Sequence, residues 1–137
     1  MKRFIHIPKT AGRSMIKFLR ENKLQVNSPR TKDNGAQTKK HRTAYKYYKD
    51  FPNEERFCIV RNPYSRLVSF YNFAIRMGWI EKDYPWMQFV MDRPYIAPLR
   101  NNQPWRLQID YIMKNNKFYV HKKFKLETEL ERLQAYL

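Results

Sequence analysis

Short apolar runs alternate with amphipathic stretches along this chain. The runs at residues 3–7 and 56–60 predict two strands, and the second is unalternating, as in a strand buried on both faces. A weaker run at residues 118–121 predicts a further strand. Pro8 ends the first run, because proline donates no backbone hydrogen bond to a neighbouring strand.

Between the apolar runs, hydrophobic residues recur at helical spacing. This pattern predicts helices over residues 14–22 and 63–77, and Asn62 before Pro63 is a favourable start for the second. The residues of the second helix expected to face the core are Leu67, Val68, Tyr71 and Ile75. Further helices are predicted near residues 44–50, with Thr43 as a candidate N-cap, and near residues 84–91, 105–113 and 127–137. Strands that alternate with helices predict an α/β fold, a three-layer sandwich with a central, mostly parallel sheet and helices on both faces.

Composition favours one globular domain over residues 1–137, because the length and a hydrophobic fraction of 42% suit a single core. The formal net charge is +16. The first 50 residues hold 14 of the 28 Lys and Arg side chains but only 3 of the 12 Asp and Glu side chains. Such a field attracts anions, but it does not distinguish nucleic acid, an acidic glycan, a membrane surface and a nucleotide.

The sequence predicts no internal disulfide and no membrane span. Cys58 is the one cysteine, and its place in the second apolar run predicts a buried, unreactive thiol. No stretch approaches the roughly 20 apolar residues of a membrane helix. No secretory signal precedes the first predicted strand, so we expect a cytoplasmic protein.

The first strand–loop–helix junction carries residues suited to an anion. Ligands bind at the carboxyl ends of parallel strands, and this junction places Lys9, Thr10, Gly12 and Ser14 there. Glycine allows close approach of the backbone, and the start of the helix offers N–H groups to phosphate or sulfate. The lysine precedes the glycine, unlike in the Walker motif, so metal-dependent ATP hydrolysis fits poorly.

The second junction adds another anion contact. Arg61 leaves the end of the second strand and can donate two hydrogen bonds to a phosphate. Ser69 lies about two turns into the next helix, where its hydroxyl can contribute. The sequence contains no Cys/His/carboxylate cluster spaced for a metal ion, so we expect none.

Both junctions resemble motifs of one enzyme family. Residues 6–14 (His-Ile-Pro-Lys-Thr-Ala-Gly-Arg-Ser) resemble the 5′-phosphosulfate loop of sulfotransferases that use 3′-phosphoadenylyl sulfate (PAPS). Residues 60–69 (Val-Arg-Asn-Pro-Tyr-Ser-Arg-Leu-Val-Ser) resemble the 3′-phosphate motif of the same family. The likeness is strongest to carbohydrate-type members, and it implies a minimal P-loop-like sulfotransferase that moves a sulfuryl group from PAPS to an acceptor hydroxyl.

The resemblance implies a set of donor-binding residues. Those around the 5′-phosphosulfate are Lys9, Thr10, Ala11, Gly12, Arg13 and Ser14. It implies that Arg61 and Ser69 hold the 3′-phosphate, and that Lys9 is catalytic, stabilising the charge on 3′-phosphoadenosine 5′-phosphate (PAP) as it leaves. Arg13 departs from the family pattern, in which Thr or Ser is more usual, so its side chain is a candidate contact for a second anion such as the acceptor.

A base is needed for the acceptor proton, and histidine suits that role near neutral pH. Residues 40–44 (Lys-His-Arg-Thr-Ala) resemble a family segment whose histidine is a candidate base, which implies a catalytic His41. His6 and His121 remain alternatives. The predicted strand position of His6 is typical of a core residue, and His121 is expected at the surface. The residual candidates are Glu54, Glu55 and the acids of the last helix.

The acceptor and two competing functions stay open at this level. The basic run at residues 39–42 suits either a solvated surface or an acidic glycan acceptor. Trp79, Trp86 and Trp105 are either core residues or candidates to stack on adenine or a sugar. The charge alone would also suit a nucleic-acid-binding module, which the two anion loops make a weaker interpretation. The short length keeps open a catalytically idle PAPS- or PAP-binding relative. Many relatives continue past the last predicted helix, so the chain is expected to be a minimal version or to lack a C-terminal tail.

Overall fold

A computed structural model describes residues 1–28, 41–92 and 106–137. The chain forms two compact units. The sheet unit comprises Met1–Arg61 and Leu107–Leu137, and the helical unit comprises Asn62–Arg106. The expectation that residues 1–137 act as one domain stays a prediction.

The sheet unit is built on a four-stranded parallel sheet with the order β2-β1-β3-β6. Its strands are β1 (Lys2–Ile5), β2 (Val26–Asn27), β3 (Glu55–Val60) and β6 (Lys122–Lys125). A separate antiparallel pair is formed by β4 (Met113–Lys114) and β5 (Lys117–Phe118). The first two predicted strands are confirmed, with small shifts at their ends.

The predicted strand at residues 118–121 was wrong. The corresponding strand of the main sheet is β6, which pairs Val60 with Lys125. Only Phe124 of β6 is buried, because this strand lies at the edge of the sheet and its lysines face solvent. Exposed lysines are common on edge strands, where they hinder pairing with other chains, and they conceal such a strand from a hydrophobicity pattern.

Helices cover both faces of this sheet, as predicted. On one face, α1 (Gly12–Glu21) and α6 (Leu130–Tyr136) pack on Phe4, Phe57 and Phe124. On the other face, α2 (Ala44–Asp50) and α5 (Ile109–Ile112) pack on Ile5, Ile7 and Cys58. Successive residues of a strand face opposite sides, so β1 supplies side chains to both cores.

The helical unit contains α3 (Pro63–Arg76) and α4 (Trp86–Asp92). The side chain of Asn62 caps α3 and accepts the backbone N–H groups of Tyr64 and Ser65, which confirms the predicted helix start. Phe70 and Phe89 anchor its core. Val68, expected to face that core, is 45% exposed.

Cys58 lies wholly inside the sheet unit, as its apolar neighbours predicted. Burial raises the pKa of this thiol to about 12, because a thiolate would lose its hydration there. The thiol therefore stays protonated and unreactive at neutral pH. None of the helices in the described parts of the chain has the length and apolar character needed to cross a membrane.

Candidate active site

The loop after β1 turns tightly into α1. Lys9 (φ 65°) and Ala11 (φ 61°) both adopt left-handed backbone conformations, which non-glycine residues rarely take. The helix begins at Gly12, two residues before the predicted start at Ser14, and Ala11 is its N-cap. Alanine has no polar side chain, so it does not compete with an anion for the first N–H groups of the helix.

Gly12 packs directly on His6. A Cβ atom at Gly12 would lie 1.9 Å from Cδ2 and 2.0 Å from Nε2 of the His6 ring. His6 is buried, so neither atom could move aside without disturbing the core. The sequence predicted that this glycine lets the backbone approach a ligand. In the structure it also lets the backbone approach a buried imidazole.

The polar side chains of this loop differ in exposure. Thr10 is fully buried, and its hydroxyl donates to the carbonyl oxygen of Ile7 at 3.0 Å, which closes the turn. Arg13 and Ser14 are exposed at the start of α1, and Lys9 is half-buried. The hydroxyl proton of Thr10 is thus engaged within the protein. The donor-binding roles assigned to residues 9–14 stay predictions.

Arg61 brings the second junction to the first loop. It directly follows β3, and its Nη1 donates to the carbonyl oxygen of Lys9 at 3.4 Å. This contact fits the topology, because β1 and β3 are parallel neighbours whose carboxyl ends meet at one edge. The Nε atom of Arg61 is buried and has no hydrogen-bond partner among the residues that the structure describes.

Two residues that contact Arg61 were not assigned a role from the sequence. The side-chain amide of Gln108 accepts the backbone N–H of Arg61 at 2.8 Å and donates to its carbonyl oxygen at 2.7 Å. Oε1 of Glu127 lies 3.9 Å from Nε of Arg61. No local pattern could reveal the Gln108 contact, because the pair is separated by 47 positions. Glu127 lies at the start of the helix that the sequence predicted near residues 127–137.

His41 lies against the first loop. Its ring centroid is 4.6 Å from that of His6, and its Nδ1 atom lies 3.4 Å from the carbonyl oxygen of His6. The side chain is half-buried just before α2, whose predicted N-cap, Thr43, is confirmed. The structure therefore groups His41 with His6 and Gly12, while its role as a base stays a prediction.

Two other candidate bases, His121 and Glu54, are engaged elsewhere in the sheet unit. His121 is exposed, and its Nδ1 accepts the backbone N–H of Arg56 at 2.9 Å. Burial opposes the charge on Glu54, but hydrogen bonds from Arg3 and Asn27 outweigh it and lower the pKa of this carboxyl group. A carboxylate held by an arginine is a weak proton acceptor.

Several predicted contributors lie outside the sheet unit or outside the described residues. Ser69 is half-buried on α3 in the helical unit, and its part in phosphate binding stays a prediction. Trp79 and Trp86 pack on aromatic neighbours of the same unit, whereas Trp105 falls outside the described residues. Residues 39–40 of the basic run do so as well. Within the described ranges, no three His, Cys, Asp or Glu side chains are grouped to hold a metal ion.

Comparison with known proteins assigns the family. A model of the sulfotransferase family matches residues 3–137, which is nearly the whole chain. The chain belongs to the sulfotransferase family. Membership of this family indicates a sulfuryl transferase, and it agrees with the parallel sheet whose strands carry both anion loops. Searches of the curated proteins and of the solved structures return no match.

Proposed function

We propose that this sulfotransferase takes its sulfuryl group from PAPS and transfers it to a hydroxyl of a carbohydrate. The observation that carries the donor assignment is the contact between Nη1 of Arg61 and the carbonyl oxygen of Lys9. It brings an arginine next to a loop with the properties of a phosphosulfate site. PAPS carries a phosphate at each end of its adenosine, so one phosphate can bind at this loop while the other binds Arg61.

The first loop supports binding of the 5′-phosphosulfate. The N–H groups that begin α1 and the positive end of its dipole favour an anion there. Lys9 and Arg13 add positive charge on the two sides of Gly12. No acidic residue occurs in the first turn of α1 to oppose the ligand.

Arg61 supports binding of the 3′-phosphate. Its buried Nε has no hydrogen-bond partner among the described residues, and a phosphate oxygen would provide one. The part of Ser69 in phosphate binding rests on the family resemblance alone. The 3′-phosphate distinguishes PAPS from ATP, so the contact with Arg61 would make the site selective for the donor.

The reaction is an in-line displacement at sulfur. A lone pair of the acceptor oxygen forms the new O–S bond, while the bond between sulfur and the bridging oxygen of the 5′-phosphate breaks. The electron pair of that bond stays on the bridging oxygen, so PAP leaves with added negative charge. Lys9 and the N–H groups of α1 stabilise this charge, which is the main contribution that positioned donors make to such a transfer.

His41 would receive the acceptor proton. The contact between Nδ1 of His41 and the carbonyl oxygen of His6 favours the tautomer with the proton on Nδ1. Nε2 then carries the lone pair and acts as the base. A His41→Asn variant with normal turnover would assign the proton to another group.

The acceptor class rests on charge and on the family resemblance. The net charge of +16 would attract a polyanion, and the likeness to carbohydrate-type members favours an acidic glycan. A transfer screen with sulfur-labelled PAPS across glycans, phenols and peptides would identify the acceptor. Incorporation of label into phenols alone would exclude the glycan.

Thermal shift with PAP, ATP and a DNA oligonucleotide separates this function from the alternatives. Ligands that bind only the folded state raise Tm, and the rise grows with affinity. We expect PAP to raise Tm well above ATP at equal concentration. Stabilisation by the oligonucleotide with no response to PAP would instead support a nucleic-acid-binding module. Binding of PAP without transfer to any acceptor would support an idle relative.

A further inference from the structure

Gln108 makes an unusual pair of hydrogen bonds with the backbone of Arg61. Its amide oxygen accepts the N–H of Arg61 at 2.8 Å, and its amide nitrogen donates to the carbonyl oxygen of Arg61 at 2.7 Å. A side-chain amide presents a donor and an acceptor side by side, just as a neighbouring strand does. Gln108 thus takes the place of a strand at this position.

The need for such a partner follows from the sheet. The ladder between β1 and β3 ends with Ile5 opposite Cys58, and the ladder between β3 and β6 ends with Val60 opposite Lys125. Arg61 lies beyond both ladders and is only partly exposed. An unsatisfied backbone group at such a position is costly, so the two hydrogen bonds of Gln108 hold Arg61 where β3 ends.

The geometry of Gln108 indicates that this contact is its main role. Gln108 is the N-cap residue of α5, but its side chain makes no capping hydrogen bond to that helix. It reaches Arg61 instead, although shorter residues such as Ser or Asp cap helices better. The amide is half-buried at the edge of the sheet where the anion loops lie.

Fixing the backbone of Arg61 also directs its guanidinium. From this backbone position, Nη1 reaches the carbonyl oxygen of Lys9, and Nε lies 3.9 Å from Oε1 of Glu127. We propose that Gln108 is a positioning residue for the donor site, which holds the backbone of Arg61 so that its guanidinium meets the 3′-phosphate of the donor. This inference rests on the proposed function and extends it to a residue that does not itself touch the donor.

Titrations of PAP and adenosine 5′-phosphate test the proposal, because the two ligands differ by the 3′-phosphate alone. Gln108→Met keeps the length of the side chain and removes its hydrogen bonds. We expect this variant to bind PAP about tenfold more weakly, as one lost hydrogen bond to a charged group would give. Its affinity for adenosine 5′-phosphate should change less than about threefold, within the usual scatter of surface changes. Gln134→Ala, an exposed glutamine of the same unit, is the matched control.

A double variant distinguishes positioning from a general loss of structure. If Gln108 acts through Arg61, adding Gln108→Met to Arg61→Ala should weaken PAP binding no further. Equal loss of affinity for both ligands, or additive effects in the double variant, would overturn the proposal. Equal binding of PAP and adenosine 5′-phosphate by the unmodified chain would overturn the proposed function as well. Failure of the Gln108 proposal alone can thus be distinguished from failure of the proposed function.

Hydrogen exchange at the amide of Arg61 tests the same contact without a ligand. We expect Gln108→Met to speed this exchange at least about tenfold, because the N–H loses its only acceptor among the described residues. Exchange at Ile59, within β3, should stay slow. An unchanged rate at Arg61 would contradict the proposed hold on its backbone.

Discussion

The two anion loops of the sheet unit are built in different ways. The first is made within nine consecutive residues, 6–14, by left-handed backbone at Lys9 and Ala11 and by the packing of Gly12 on His6. The second depends on one residue, Arg61, whose guanidinium contacts the carbonyl oxygen of Lys9. Its backbone is held by Gln108 and its Nε lies near Glu127, both far along the chain. The geometry of a backbone loop is therefore set by its own sequence, whereas the position of a single side chain depends on residues elsewhere in the fold.

The difference also predicts separate functional consequences. Under the proposed function, the first loop would lie where charge develops during transfer, so its residues should govern turnover. Arg61 would contact a phosphate that stays unchanged throughout the reaction, so it should govern donor affinity. Interactions that strengthen only in the transition state raise kcat, whereas interactions equal in both states change binding alone.

The largest effect is expected at Lys9. Lys9→Ala should lower kcat about 100- to 1,000-fold, as loss of one donor to a developing anion commonly does, while PAP affinity falls less than about tenfold. Single-turnover kinetics with the acceptor from the transfer screen measure the first quantity, and calorimetry measures the second. Lys17→Ala, an exposed lysine of α1, controls for the loss of one positive charge. A variant that loses affinity but keeps its turnover would assign Lys9 to binding.

The steric contact beneath the first loop gives a smaller but independent effect. Gly12→Ala should cost about 1–3 kcal/mol of unfolding free energy, as overpacking does, although alanine is otherwise the better helix former. Urea unfolding measures the loss. The double variant His6→Ala, Gly12→Ala should lose less than the sum of the single variants, because the ring that collides has gone. Additive losses would show that the contact with His6 is not the cause.

The effect at Arg61 should be the most selective. Arg61→Ala removes charged hydrogen bonds to the 3′-phosphate and should weaken PAP binding about 10- to 100-fold. Turnover at saturating donor and affinity for adenosine 5′-phosphate should change little. Arg20→Ala, an exposed arginine of α1, is the matched control. A fall in kcat at saturating donor would contradict the proposal that the first loop governs turnover and Arg61 governs donor affinity.

Local patterns in the sequence predicted the core of the fold. The strands β1 and β3 are apolar because both are interior strands, and the helices α2 and α3 begin at their predicted caps, Thr43 and Asn62. The start of α1 was predicted too late, because Gly12 is a poor helix former and the apolar spacing begins only at Met15.

The structural features that the sequence did not predict depend on contacts between distant parts of the chain. The hydrophobicity pattern did not predict β6, because only one residue of this lysine-rich edge strand, Phe124, is buried. The contact of Gln108 was not predicted either, because a glutamine before a short helix has no distinctive pattern. Its partner is also a backbone group rather than a side chain. The proximity of His41 to His6 likewise follows from the fold, although the family resemblance had already singled out His41.

A crystal structure of the complex with PAP would show directly whether the two loops bind one donor. We expect the 5′-phosphate to lie at the first N–H groups of α1 beside Lys9, and the 3′-phosphate to accept hydrogen bonds from the guanidinium of Arg61. A PAP molecule bound away from these loops, or held by only one of its phosphates, would contradict this expectation.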